Sequence, residues 1–175
     1  MIIIKNTQRK IKINTKKIEH HVKQILKILK YENYDVGIWL TTNKTIREYN
    51  KNFRKKDKPT DILSFPFYTE LKPGERIKPL PKTATKEQIQ DSQNLGDIII
   101  SPEFAQKDLF TTASNTKDQS ASNKNAINNG ANFDQHLKIL LVHGLCHLIG
   151  YDHIKEQDYK IMHKKEMAIL EKIKD

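Results

Sequence analysis

Three of the chain's seven histidines fall in one short stretch, LVHGLCHLIGYDH, from Leu141 to His153. His143 and His147 are four residues apart, and His153 follows Gly150, giving H-x-x-x-H-x-x-G-x-x-H. Residues four apart share a helix face, so both imidazoles can reach one ion at roughly 2.0–2.1 Å. A helix running on past Gly150 would carry His153 away from the pair. Glycine accepts the left-handed conformation that ends helices, so the chain can turn back there and return His153 to the same ion. The stretch therefore demands an apolar helix, a tight stop and a returning segment. It predicts three protein ligands and one open position, the arrangement of catalytic rather than structural zinc.

The same spacing occurs in metzincin proteases, where a glutamate after the first histidine is the general base. Here that position is Gly144, which has no side chain. The metal cradle is present without the protease base, so deprotonation must come from the metal, another carboxylate, the substrate or bulk water.

The length of 175 residues suits one domain, residues 1–175, with a real core. The formal net charge of +10 favours an anionic partner: nucleic acid, an anionic membrane surface or an acidic protein. No apolar run approaches the ~20 residues that span a bilayer. The opening MIIIKNTQRK places its apolar residues before its basic ones, unlike a secretory signal. The single cysteine, Cys146, excludes an internal disulfide and points off the His143/His147 face, as a packing residue would. The expected location is the cytoplasm.

Apolar periodicity predicts strands at Ile2–Ile4, Tyr34–Leu40, Ile62–Phe67 and Asn94–Ser101, the third an edge because of Pro66. It predicts helices from Thr15 (as cap) through Leu29, Asn43 (as cap) to Tyr49, Pro102 to Asp108, Asp134 to Ile149, and Glu156 to Ile173. In the last, Tyr159, Met162, Ile169 and Ile173 are the expected core. Residues 69–93 read as a surface loop with one helical turn, and 111–132 as a flexible polar insertion. Without strict βαβ alternation, the class is α+β: one mixed, roughly four-stranded sheet packed by helices.

VHGLCHLIGYDH, FRKKDKPTDILSFPF, NLGDIIIS and the C-terminal Met162 with Glu166 to Leu170 together resemble the YbeY family. That family comprises bacterial rRNA maturation factors described as zinc-dependent endoribonucleases. The blocks are collinear and cover most of the chain. The resemblance implies an α+β fold with one sheet and one zinc per chain on His143, His147 and His153. It carries the family's catalytic arginine to Arg54. It implies single-strand-specific cleavage in the 3′-end maturation of small-subunit (16S) ribosomal RNA and in ribosome quality control, alongside a ribosomal protein. The two polar stretches look longer than the family needs, and Cys146 stands where an aliphatic residue is usual.

Arg54 lies in a basic segment with Lys55, Lys56 and Lys58, which are candidates for RNA contact. A planar guanidinium is the better phosphate clamp of these. Thr60 and Asp61 suit the turn into the third strand. Asp97 interrupts an apolar strand, and a buried carboxylate there would need a partner: a ligand histidine braced from behind, or a backbone N–H. Asp152 could orient His153 or act as a base. His20, His21, His136 and His163 read as surface residues. Two other functions fit less well. A metallopeptidase is disfavoured by Gly144 and by the charge; a ribosome-assembly factor in which zinc only holds the fold would unfold on metal removal.

Overall fold

The computed structural model describes residues 1–115 and 129–174. Strands β1 (Ile2–Asn6), β2 (Asp35–Leu40), β3 (Ile62–Pro66) and β4 (Asn94–Ile100) form one sheet in the order β1-β2-β4-β3. β1, β2 and β4 are parallel, and β3 runs antiparallel to β4 at the sheet edge, where Pro66 costs no ladder bond. This is the expected mixed α+β architecture.

The alternation of side chains along the strands divides the molecule into two layers. Val36, Ile38 and Leu40 of β2, with Ile98 and Ile100 of β4, join the main core. Helix α1 (Thr15–Leu29) and helix α5 (Asn129–Leu148) pack on that face, α1 through Ile18, Val22, Ile25 and Leu29, and α5 through Leu137, Leu141, Leu145 and Leu148. On the other face Ile99 and Leu63 meet Ile46 of α2 (Asn43–Arg54), flanked by Trp39, Tyr49 and Phe65. Helix α6 (Glu156–Leu170) packs on α5 and buries Met162 and Ile169.

Several expectations change in detail. The cap of α1 is Asn14, whose side chain accepts from Lys17 N, and not Thr15. His21 is only 3 % exposed, because it lies on the apolar stripe between Ile18 and Val22. Thr42, not Asn43, caps α2; Asn43 instead accepts from the Ser101 hydroxyl at 2.6 Å and ties the helix start to the end of β4. α2 continues past Tyr49 to Arg54, so half of the expected basic loop is helical. The buried Asn50 explains why. Its amide donates to Lys58 O at 2.7 Å, and its backbone carbonyl accepts from the N–H groups of Lys55 and Lys56.

Within 69–93 there is a seven-residue helix, α3 (Lys86–Ser92), longer than one turn. It is started by a capping box between Thr85 and Gln88. Helix α4 (Pro102–Asn115) also outruns its expected end at Asp108. The expected insertion 111–132 overlaps the ends of α4 and α5, and its middle, 116–128, lies outside the described residues. Tyr159 is 53 % exposed and stacks on His163 instead of joining the core, which Met162, Ile169 and Ile173 do enter. Among the described residues, no helix is long and apolar enough to cross a membrane.

Candidate metal centre

The C-terminus of α5 carries His143 and His147 on one face and then stops. Tyr151 N–H donates to Cys146 O and Gly150 N–H to His147 O, both at 3.1 Å. These are the paired bonds of a Schellman stop, and Gly150 has the left-handed φ of 87° that the motif needs. A Cβ on Gly150 would also collide with the Leu71 carbonyl. Only glycine meets both demands, and the chain beyond it swings His153 back over the pair.

The three rings then gather: centroids lie 4.6 Å apart for His143 and His147, 5.2 Å for His143 and His153, and 5.0 Å for His147 and His153. One nitrogen of each lies within 4.8 Å of the others. The hydrogen-bond partners assign the tautomers. His143 Nδ1 lies 2.8 Å from the Glu166 carboxylate, and His147 Nδ1 lies 2.9 Å from the Tyr151 carbonyl. Both partners are acceptors, so both Nδ1 atoms carry the proton. The two Nε2 atoms, 3.1 Å apart, then face each other as bare lone pairs. Such a pair is stable only around a cation, and this donor set suits a metal ion. Burial, followed by the neighbouring His143 and His153, lowers the His147 pKa to about 4, which keeps that imidazole neutral.

Gly144 is a packing requirement. A Cβ there would lie 2.8 Å from Ile98 Cδ1 and 3.0 Å from Ile62 Cδ1. The position that bears the protease base thus points into the sheet, and a side chain there would be driven into β3 and β4. Cys146 is fully buried, and burial, then the Glu166 carboxylate, pushes its thiol up to about 12. It is neither ligand nor nucleophile.

The histidines open onto a cavity of about 720 Å³ whose opposite wall is β3 and whose rim includes Arg54. Arg54, the last residue of α2, is held there by the turn at Lys55, which has a left-handed φ of 58°. Lys55, Lys56 and Lys58 are exposed beside the cavity but do not line it. Asp57 pairs with Arg47 at 2.7 Å and Lys51 at 3.1 Å, which braces the turn. Among the described residues, Arg54, Lys56 and Lys58 have no carboxylate partner, so their charge faces outward. Asp61 accepts from Ile62 N at 2.8 Å and Thr60 Oγ1 at 2.9 Å, which sets the turn into β3.

Of the two acidic candidates, Asp152 lines the cavity and accepts from His153 N at 2.7 Å, bracing that histidine's backbone. Asp97 does not belong to the site. It shares the parity of Ile99, so it is exposed on the sheet face opposite α5, above Gly37. His136 is half-buried, and burial lowers its pKa. Sequence reasoning gave Glu166 no part in the site, although it orients His143. The available signal was Met162: a buried residue on α6 with a carboxylate one turn later on the same face.

The family model described as Endoribonuclease YbeY matches residues 3–122 and 108–174. The chain belongs to the YbeY family. Its relatives include Endoribonuclease YbeY of Homo sapiens, 31 % identical over 98 % of this chain and 87 % of that protein. The Caldicellulosiruptor saccharolyticus protein of the same name is 36 % identical over 97 % of this chain and 95 % of its own length. The solution structure of TM1509 from Thermotoga maritima shares the fold, with a TM-score of 0.54 and 23 % identity over 98 % of this chain and 88 % of that one. The YbeY match spans the three histidines, Arg54 and Glu166.

Proposed function

We propose that this chain is a zinc-dependent endoribonuclease that cuts single-stranded RNA, with the 3′ end of the small-subunit ribosomal RNA as its target. The carrying observation is the facing Nε2 pair of His143 and His147, its tautomers fixed from behind, at the floor of a cavity rimmed by Arg54. The relatives are named endoribonucleases, which supports the reaction class. A zinc ion on His143, His147 and His153 would supply Lewis acidity toward water and a phosphoryl oxygen.

The chain's own residues do the rest. Glu166 and the Tyr151 carbonyl hold two imidazoles in the ligating tautomer. Asp152 holds the third ligand's backbone. The Arg54 fork grips a phosphate and offsets the charge that develops on it. Lys55, Lys56 and Lys58 add affinity along the backbone of the RNA. The workplace is the cytoplasm, on the small ribosomal subunit, with a ribosomal protein presenting the strand.

The test is metal analysis of the purified protein, followed by cleavage assays on single-stranded RNA, duplex RNA and casein, with His147→Ala as control. Single-stranded RNA should be cut and casein left intact, with His147→Ala inactive. Casein cleavage, or an active His147→Ala protein, would overturn the assignment.

A further inference from the structure

Phe53 is 64 % exposed, yet its ring is fixed in place. It stacks on Tyr49 at 5.9 Å with planes 15° apart and meets Phe65 edge-on at 5.1 Å. Its position gives that exposure a use. Phe53 precedes Arg54, and it lines both the metal cavity and a groove of about 450 Å³ on the far face of the sheet. A strand leaving the metal centre in that direction must cross it. The nearby Arg54, Lys56 and Lys58 supply outward positive charge without carboxylate partners among the described residues.

We propose that Phe53 is a stacking platform for an unpaired base adjoining the phosphate gripped by Arg54, and that it gives the enzyme its preference for single strands. The proposal rests on the endoribonuclease reading and names a specificity residue within it. A fixed ring beside unpartnered cations matches a nucleotide: a π-face for the base and charge for the phosphate. Bases inside a duplex are stacked on both sides and out of reach, so only unpaired ones can use the ring. A phenyl ring offers no hydrogen bond, so it separates paired from unpaired bases and does not select one base over another.

The experiment uses the full-length protein and a short oligoribonucleotide carrying one 2-aminopurine, whose fluorescence is quenched by stacking. Phe53→Leu keeps an apolar side chain without a π-face; Phe53→Trp restores one. Metal content and melting temperature establish that both variants are folded. The expected result is quenching with the wild type and Phe53→Trp but not with Phe53→Leu. For single-stranded RNA, KM in Phe53→Leu should rise about tenfold, the ordinary worth of one stacked base, with kcat falling less. Cleavage of duplex RNA, measured in parallel, should not change between wild type and Phe53→Leu. Quenching retained in Phe53→Leu, or equal losses on single- and double-stranded RNA, would overturn the proposal. So would an unchanged KM, which would leave the ring to packing or to a protein on the sheet face. Because quenching reports binding without cleavage, a wild type that stacks the probe but cuts no RNA would refute the endoribonuclease reading alone.

Discussion

Arg54 and Lys55 are neighbours with different surroundings, and that difference separates a phosphate clamp from general basicity. Arg54 lines the cavity; Lys55 does not, and its ammonium donates to Asn52 O at 3.0 Å. Arg54→Ala should keep the metal and change stability by no more than about 0.5 kcal/mol. Cleavage should fall about 10²–10³-fold, the usual loss for a preorganised charge-stabilising donor. Arg54→Lys should not restore it, since an ammonium lacks the bidentate fork. Lys55→Ala should only weaken RNA binding and flatten its log–log salt slope by at most about one. If the two alanine variants behave alike in kinetics across salt, Arg54 is one more positive charge. Glu166→Gln tests the support behind His143. A neutral amide accepts the Nδ1 proton less well, so metal affinity in a chelator competition should drop about 10–100-fold with the fold intact. Unchanged affinity would mean that His143 is oriented without it.

His147 also gives the metal-free protein a pH signature. Its folded pKa, about 4, lies below the 6.5 of a free imidazole. As pH falls through 6.5 the unfolded chain takes up a proton that the folded one refuses until about 4. Stability is therefore unaffected above that window and declines within it as pH falls. Thermal melts of metal-free protein across this range should slope more steeply for the wild type than for His147→Ala. Equal slopes would show that another group carries the effect.

At the scale of elements, the stop of α5 is the feature on which the site depends. Gly150→Ala meets both the positive φ and the Leu71 carbonyl, so it should cost more than about 2 kcal/mol and lower metal affinity as well. Denaturant titration with metal analysis checks this; an alanine variant as stable as the wild type would mean that the turn can relax. This stop was legible in the sequence because all its parts lie within a few residues: the histidine spacing, the glycine and the apolar helix before it. The strands were legible for the same reason, through local alternation. Asp97 was misjudged because alternation tells which residues share a face, but not which face meets α5; Ile98, and not Asp97, points that way. The end of α2 was misjudged because Asn50 reaches forward to Lys58, a tertiary bond with no periodic trace.

At the scale of the molecule, the site is assembled from distant parts of the chain. α5 supplies His143 and His147, the segment after its stop His153, α6 the carboxylate behind His143, β3 the opposite wall and the end of α2 the guanidinium. The sheet makes this possible by separating its two layers, with α5 on one face and α2 on the other, so that both meet around the β3 edge. That convergence could not be read from any one segment, and the role of Glu166 and the exposure of Phe53 were hidden with it. The net charge of +10 was legible at once, but it describes affinity for a polyanion and says nothing of the reaction. The most direct test of the account is zinc stoichiometry and RNA cleavage in the wild type and in His143→Ala/His147→Ala, with circular dichroism to verify the fold. One zinc per chain and cleavage are expected in the wild type, and neither in a folded double variant. Zinc content or cleavage unchanged in that variant would contradict it.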